Sequence, residues 1–311
     1  MHHDDVLHAT KRTPLVELRN CSPRPGVRLF AKLEGQNATG SVKDRIARRM
    51  MLGPERKGHL RPGDTLVVAS TGNTGISLAM VGRARGYKVR VVMPENVGPE
   101  IPRMLAAYGA TVEWVPTEKG MRNAIEVARE LGKQEGWLVL DQFADASNVQ
   151  AHYDTTGPEI LEDLPQVDVF VAGLGTGGTL MGAGRRLKEA NRNTRVIAVE
   201  PHPGSQLQGL KSLADGFVPP IVDLDLLDGK ILVRTRHAFR ATAEVMRREA
   251  IFAGISSGAV LHAALKVAQR LPRGNLVLMF ADGGWKYLAT NLWTSAYEDA
   301  EQHELDDIIW W

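Results

Sequence analysis

The chain alternates short, almost continuous apolar runs rich in β-branched residues with stretches of helical periodicity, and few architectures accommodate that alternation. Candidate strands fall at residues 65–70, 88–93, 111–115, 137–141, 167–172, 195–200 and 276–281. Helical patterns lie between them at 76–85, 100–108, 121–130, 178–189 and 259–270. Strands that lack in–out alternation are buried on both faces, as in a parallel sheet. Strands alternating with helices therefore predict a doubly wound α/β fold. At 311 residues, with 43% of them hydrophobic, the chain can bury the core of two medium domains or one large one.

Charge and cysteine content exclude several function classes. A formal net charge of +2 gives no strong field to draw in nucleic acid or a membrane surface, so neither is an expected partner. No apolar run approaches the roughly 18 residues of a membrane span. The start, Met1-His2-His3-Asp4-Asp5, does not look like a secretory signal. His2 and His3 read as a solvated tip, and no metal site is expected. Cys21 is the single cysteine, so no intramolecular disulfide is possible, which fits a reducing, cytoplasmic setting. Its Ser-Pro-Arg-Pro-Gly surroundings are a loop rather than a nucleophile's strand–turn–helix.

In open α/β sheets, ligands bind at the carboxyl ends of the strands, so the strand-to-loop junctions are the places to look for chemistry. In Asn37-Ala38-Thr39-Gly40-Ser41-Val42-Lys43-Asp44-Arg45, Ser41 is a candidate cap that places Lys43 in a first helical turn. The helix N-terminus disfavours a charged ammonium there, which suits a Schiff-base lysine but is tolerable for an exposed one. Ala69-Ser70-Thr71-Gly72-Asn73-Thr74-Gly75 is either an anion-binding loop or a polar turn with Asn73 left-handed. Gly173-Leu174-Gly175-Thr176-Gly177-Gly178-Thr179 satisfies G-x-G-x-x-G, and Glu200 ends the next strand, so an NAD site is a rival reading. All readings of that loop place a phosphate on a helix N-terminus. In Gly254-Ile255-Ser256-Ser257-Gly258, either serine serves as a helix cap on the plain reading. A candidate break falls at residues 148–154, and residues 201–228 read as a long functional loop.

Together these segments resemble the fold-type II pyridoxal-phosphate (PLP) enzymes, within them the cysteine synthase/cystathionine β-synthase family, and most specifically the cysteine synthase B group. The resemblance extends to Thr13-Pro14-Leu15-Val16, Lys32-Leu33-Glu34, Asp141-Gln142-Phe143, His152-Tyr153, Thr155-Thr156-Gly157-Pro158-Glu159 and Asp282-Gly283-Gly284-Trp285-Lys286-Tyr287-Leu288. It departs at Ala38, at the Ser70-Thr71 order, and at Gly98 and Pro102.

The resemblance implies two doubly wound α/β domains with the active site in the cleft between them. Residues 1–44 and 149–311 would form the large PLP-binding domain, and 45–148 a smaller mobile one. It implies that Lys43 forms the internal aldimine and acts as base, and that Asn73 meets the cofactor's phenolic oxygen. Gly175, Thr176, Gly177, Gly178 and Thr179 would hold the phosphate, and Ser256 would face the pyridine nitrogen. Ser70, Thr71, Thr74 and Gln142 would hold the substrate carboxylate, with Lys211 selecting the leaving group. The implied reaction is β-replacement on O-acetyl- or O-phospho-L-serine through an α-aminoacrylate. The nucleophile would be sulfide, thiosulfate or a thiocarboxylated carrier protein, and the enzyme a homodimer. A cystathionine β-synthase, a non-catalytic regulatory protein and an NAD-dependent oxidoreductase are the alternatives. The tail Ile308-Ile309-Trp310-Trp311 is expected to dock, either as packing or as a lid.

Overall fold

The computed structural model describes residues 5–10, 12–203, 205 and 207–294; the tail at 308–311 lies outside the described residues. In chain order the first half contains β1 (Leu15–Glu17), β2 (Val27–Leu33), α1 (Lys43–Arg56), β3 (Thr65–Ala69), α2 (Asn73–Arg85), β4 (Lys88–Pro94), α3 (Glu100–Ala107), β5 (Thr111–Val115), α4 (Gly120–Leu131) and β6 (Trp137–Val139). The second half contains α5 (Ala146–Ala151), α6 (Gly157–Asp163), β7 (Val169–Gly173), α7 (Gly178–Ala190), β8 (Arg195–Pro201), β9 (Gly229–Val233), α8 (Thr235–Glu249), α9 (Ile255–Ala268) and β10 (Gly274–Phe280).

The strands form two sheets, β1-β2-β10-β7-β8-β9 and β5-β4-β3-β6. Every described strand pair is parallel except β1 with β2. Burial on both faces explains the continuous apolar runs. In β7, Val169 and Val171 join a core with α8 and α9, whereas Phe170 and Ala172 face the core beneath α7. The smaller sheet repeats the pattern: Leu66 and Val68 of β3 pack with α1 and α2, and Val67 and Ala69 with α4. Period-two alternation is present, but both sets of side chains are apolar.

The structure corrects several expectations. Strands β1, β2 and β9 were absent from the candidates. β2 breaks its apolar run with Lys32, which is fully buried because Glu159 holds its ammonium at 2.8 Å. β9 is an edge strand with alternating exposure. Residues 148–154, the candidate break, are helical, since α5 passes through a π-turn at His152–Thr156 directly into α6. The long-loop reading of 201–228 holds: after β8 ends at Pro201, two short 3-10 turns are the only helical pieces among the described residues before β9.

Candidate active site

The carboxyl ends of β3, β7, β8 and β10 open onto one cleft of about 170 Å³. Lys43, Ser70, Thr71, Asn73, Thr74, Gln142, Gly175, Thr176, Thr179, Lys211 and Ser256 all line it. Gly177 and Gly178 stand directly behind, as the last loop residue and the first residue of α7.

Lys43 is the first residue of α1, and its backbone N–H reaches Ser41 Oγ at 3.3 Å. The capping position itself is Val42, so Ser41 supports the turn from one residue further out. Burial pushes the Lys43 amine down to about 8, against the opposing pull of Asp282 and Glu34. A sizeable neutral fraction near physiological pH is what a nucleophile or base requires. The surface-lysine reading is thereby set aside.

The loop after β7 is shaped by close backbone approach. A Cβ on Gly175 would stand 2.6 Å from the Gly209 carbonyl oxygen. Gly177 has φ of +91°, and a Cβ there would meet Val222 at 2.3 Å. The N-cap residue Gly177 has no side chain to cap α7, so beyond the long Gly178 bond to Thr176 the N-terminal N–H groups of the helix stay available. Thr176 Oγ1 accepts from Asn148 Nδ2 at 3.0 Å and from the Gly178 N–H at 3.4 Å, and its own proton has no acceptor among the described residues. Thr179 Oγ1 lies 3.2 Å from His152 Nε2, and burial pushes that imidazole down to about 3, keeping it neutral.

Asn148 was not singled out from the sequence, because no local motif marks it. Its Nδ2 also donates to the Gln142 carbonyl at 2.7 Å, joining the glycine loop after β7 to the segment after β6. A Cβ on Gly178 would lie 1.8 Å from Asn148 Oδ1. Gly178→Ala is therefore expected to dislodge Asn148, weaken cofactor retention at least ~10-fold and destabilise the fold by about 1–3 kcal/mol, as overpacking usually does. Cofactor titration and thermal melting check both.

On the 70–75 loop, Ser70 Oγ accepts from the Gly72 and Gly75 N–H groups at 3.2 and 3.1 Å. Asn73 opens α2 and Gly72 is the cap, so the left-handed polar turn is not what forms. Thr74 donates its proton to Gln142 Oε1 at 2.5 Å, and Gln142 Nε2 donates to the Ala69 carbonyl at 2.9 Å. Thr74 thus orients Gln142, whose second amide hydrogen has no partner among the described residues. Ser256 lies in the first turn of α9 and Gly254 is the cap, so neither serine is the N-cap. Glu200 is fully buried, does not line the cleft and accepts from the Leu213 N–H at 3.0 Å, which holds the 201–228 loop. Cys21 is buried, and burial with the nearby Glu249 pushes its thiol up to about 12.

A buried amine of lowered proton affinity, a glycine cradle on a helix N-terminus and a hydroxyl with a spare proton fit pyridoxal phosphate. Comparison with known proteins decides the matter. Residues 6–282 match the family of pyridoxal-phosphate dependent enzymes.

The chain belongs to the pyridoxal-phosphate-dependent enzymes.

It is 39% identical over 301 residues to a cysteine synthase of Staphylococcus aureus, covering 94% of this chain and 97% of that one. It is 37% identical over 281 residues to cysteine synthase B of Escherichia coli, covering 90% and 93%. The crystal structure of O-ureido-L-serine synthase superposes with a TM-score of 0.90 at 36% identity, covering 97% of this chain and 99% of that one. The α/β architecture is that of the family's fold-type II members, and pyridoxal phosphate is the cofactor. Among the described residues no helix is long and apolar enough to cross a membrane.

Proposed function

We propose that this enzyme replaces the β-substituent of O-acetyl- or O-phospho-L-serine with a sulfur nucleophile, yielding L-cysteine or S-sulfocysteine. The observation that carries this reading is one cleft lined together by Lys43, by Gly173, Gly175 and Thr176 of the glycine loop, and by the hydroxyl-rich residues 70–74. The cysteine synthase relatives support it. When bound, the cofactor supplies an electron sink for the substrate's α-carbon.

The protein's own residues do the rest. Lys43 anchors the cofactor, takes the α-proton and returns it. Gly175, Thr176, Gly177, Gly178 and Thr179 hold the phosphate through loop and helix N–H groups and the Thr176 hydroxyl. Ser256 offers a neutral hydroxyl to the ring nitrogen, which does not force protonation as a carboxylate would. That milder setting suits elimination, in which the leaving group carries the electrons away. Ser70, Thr71 and Gln142 receive the substrate carboxylate, with Thr74 aligning Gln142. The substrate loop lies in the unit around the four-stranded sheet, roughly residues 45–148. We assign that unit as the mobile domain whose closure excludes water. On the family resemblance the enzyme is a cytoplasmic homodimer, and a thiocarboxylated carrier protein is one route for its sulfur.

Lys211 is assigned to leaving-group recognition. Its N–H is fixed to the Leu174 carbonyl at 2.7 Å, and its ammonium lies 5.6 Å from the centre of the Phe143 ring, beside Gln142. Lysine supplies positive charge for a phosphate without arginine's bidentate fork. Lys211→Ala is expected to lower kcat/KM for O-phospho-L-serine at least ~10-fold while O-acetyl-L-serine falls less than ~3-fold. Equal losses would remove Lys211 from that role. The reaction itself is tested by supplying either serine ester with sulfide or thiosulfate and identifying the amino acid formed by mass spectrometry. No β-substituted product from any pairing would refute the reading.

A further inference from the structure

The Asp282–Tyr287 motif starts at the cleft wall, where Asp282 lines it, and continues into the interior next to Asn73. Asn73 Nδ2 donates to Asp282 Oδ2 at 2.7 Å, and Lys286 Nζ donates to Asn73 Oδ1 at 2.5 Å. Tyr287 donates its hydroxyl to the same Asp282 oxygen at 2.5 Å. Asp282 and Lys286 are 2% and 3% exposed, so these are interior bonds rather than surface pairs. Their chemistry allows one arrangement of the amide. A carboxylate only accepts and an ammonium only donates, so the amide nitrogen must face Asp282 and its oxygen must face Lys286. One Nδ2 hydrogen is then committed to Asp282, while the other has no partner among the described residues on a side chain that lines the cleft.

We propose that Lys286 and Asp282 are positioning residues that lock the Asn73 carboxamide so that its free N–H points at the cofactor's phenolic oxygen. This rests on the proposed role of Asn73. The lock is built into the fold. Asp282 follows β10 and bridges to Ser41, two residues before Lys43, and the Gly254 N–H bonds its carbonyl at 3.0 Å. A Cβ on Gly254 would lie 2.0 Å from Asp282 Oδ1, so only glycine leaves room for the carboxylate. One short motif thereby sets the amine, the amide and the start of the Ser256 helix relative to one another. Without Lys286, the Asn73 oxygen loses its donor and the amide is held by the Asp282 bond alone, which leaves it room to swing.

The test uses the holoenzyme and two readouts other than turnover: the visible absorption maximum of the bound cofactor, and the rate at which pyridoxal phosphate is lost on dilution. Lys286→Met is expected to shift the maximum and speed loss at least ~10-fold, the effect of one interior charge-assisted hydrogen bond. Lys286→Arg, which retains a donor, should restore the maximum. An unshifted spectrum in Lys286→Met, or equal effects of methionine and arginine, would overturn the inference. Asn73→Ala separates the two levels. If that variant is also spectrally silent, the assignment of Asn73 fails and the lock with it; if it alone shifts the spectrum, only the lock fails. Should Lys286→Met not fold, Tyr287→Phe keeps the ring and removes one donor from Asp282. A smaller shift in the same direction supports the lock, and a wild-type spectrum contradicts it.

Discussion

Replacing Lys43 with alanine is expected to lower turnover by at least ~10³-fold while leaving the protein able to take up pyridoxal phosphate non-covalently. On the proposed mechanism, anchoring and proton transfer converge on this one amine, and positioned general bases alone contribute roughly 10²–10⁴-fold. The residues around Lys43 explain why it is suited to both tasks. It starts α1, where the helix dipole disfavours an ammonium, and burial brings the amine down to about 8. Asp282 and Glu34 oppose that shift, so the amine still accepts a proton. The proposed phosphate cradle is independent, because it would be made by the 173–178 backbone and the start of α7. Equilibrium dialysis should therefore show retained cofactor affinity in the variant. Wild-type turnover in Lys43→Ala would rule out its assignment as base and anchor.

The second large effect is expected two residues further along α1. Arg45 is almost fully buried between two carboxylates: Nε and Nη2 reach Glu34 at 2.7 and 2.8 Å, and Nη1 and Nη2 reach Glu159 at 2.7 Å each. Lys32 closes the cluster on Glu159 at 2.8 Å and on the Thr13 carbonyl at 2.5 Å, and Thr13 donates to Glu34 at 2.6 Å. Two cations balance two anions. Arg45→Met leaves one interior negative charge unbalanced, and breaking a buried pair from one side costs about 3–5 kcal/mol. The midpoint of urea unfolding should fall accordingly with little change in slope.

The pH dependence of that loss follows from Glu34. Burial alone raises a carboxylate's proton affinity, but here the Arg45 guanidinium overrides it and holds Glu34 at about 2, from an ordinary 4.5. A depressed folded-state value stabilises the fold above the unfolded one. Glu34's stabilising contribution in the wild type should thus be full above pH 4.5 and be lost as the pH falls toward 2, so the advantage over Arg45→Met should narrow across that window. A gap that stays constant across that window would mean Arg45 contributes by packing alone.

What was legible in the sequence follows from what is local. Strands β3, β4, β7, β8 and β10 announced themselves because parallel strands are apolar on both faces. The glycine loop did so because the close approach of the Gly209 backbone, Val222 and Asn148 excludes side chains there. Lys43 was placed in a first helical turn by residues within a few positions of it. The pieces that escaped are long-range. Strand β2 was hidden by Lys32, whose partner Glu159 lies on another helix. Asn148 ties Gln142 to Thr176, a link that no local pattern encodes. The bond from Asn73 to Asp282 spans 209 positions. Ser256 and Ser257 looked like caps because serine before a helix usually is one, yet Gly254 takes that place and Ser256 turns to the cleft. The competing NAD reading rests on the G-x-G-x-x-G of Gly173, Gly175 and Gly178 with Glu200 ending the next strand, and only the fold shows that carboxylate bonded to the Leu213 N–H.

The most direct measurement reduces the holoenzyme with borohydride, digests it and locates the cofactor by peptide mass spectrometry. The cleft offers more than one amine: Lys43 and Lys211 both line it, and Lys286 lies just behind Asn73. The expected result is a yellow protein that bleaches on reduction, with the pyridoxyl mass on the peptide containing Lys43. Label on Lys211 or Lys286, or a colourless protein that takes up no label after pyridoxal phosphate is added, would contradict the assignment.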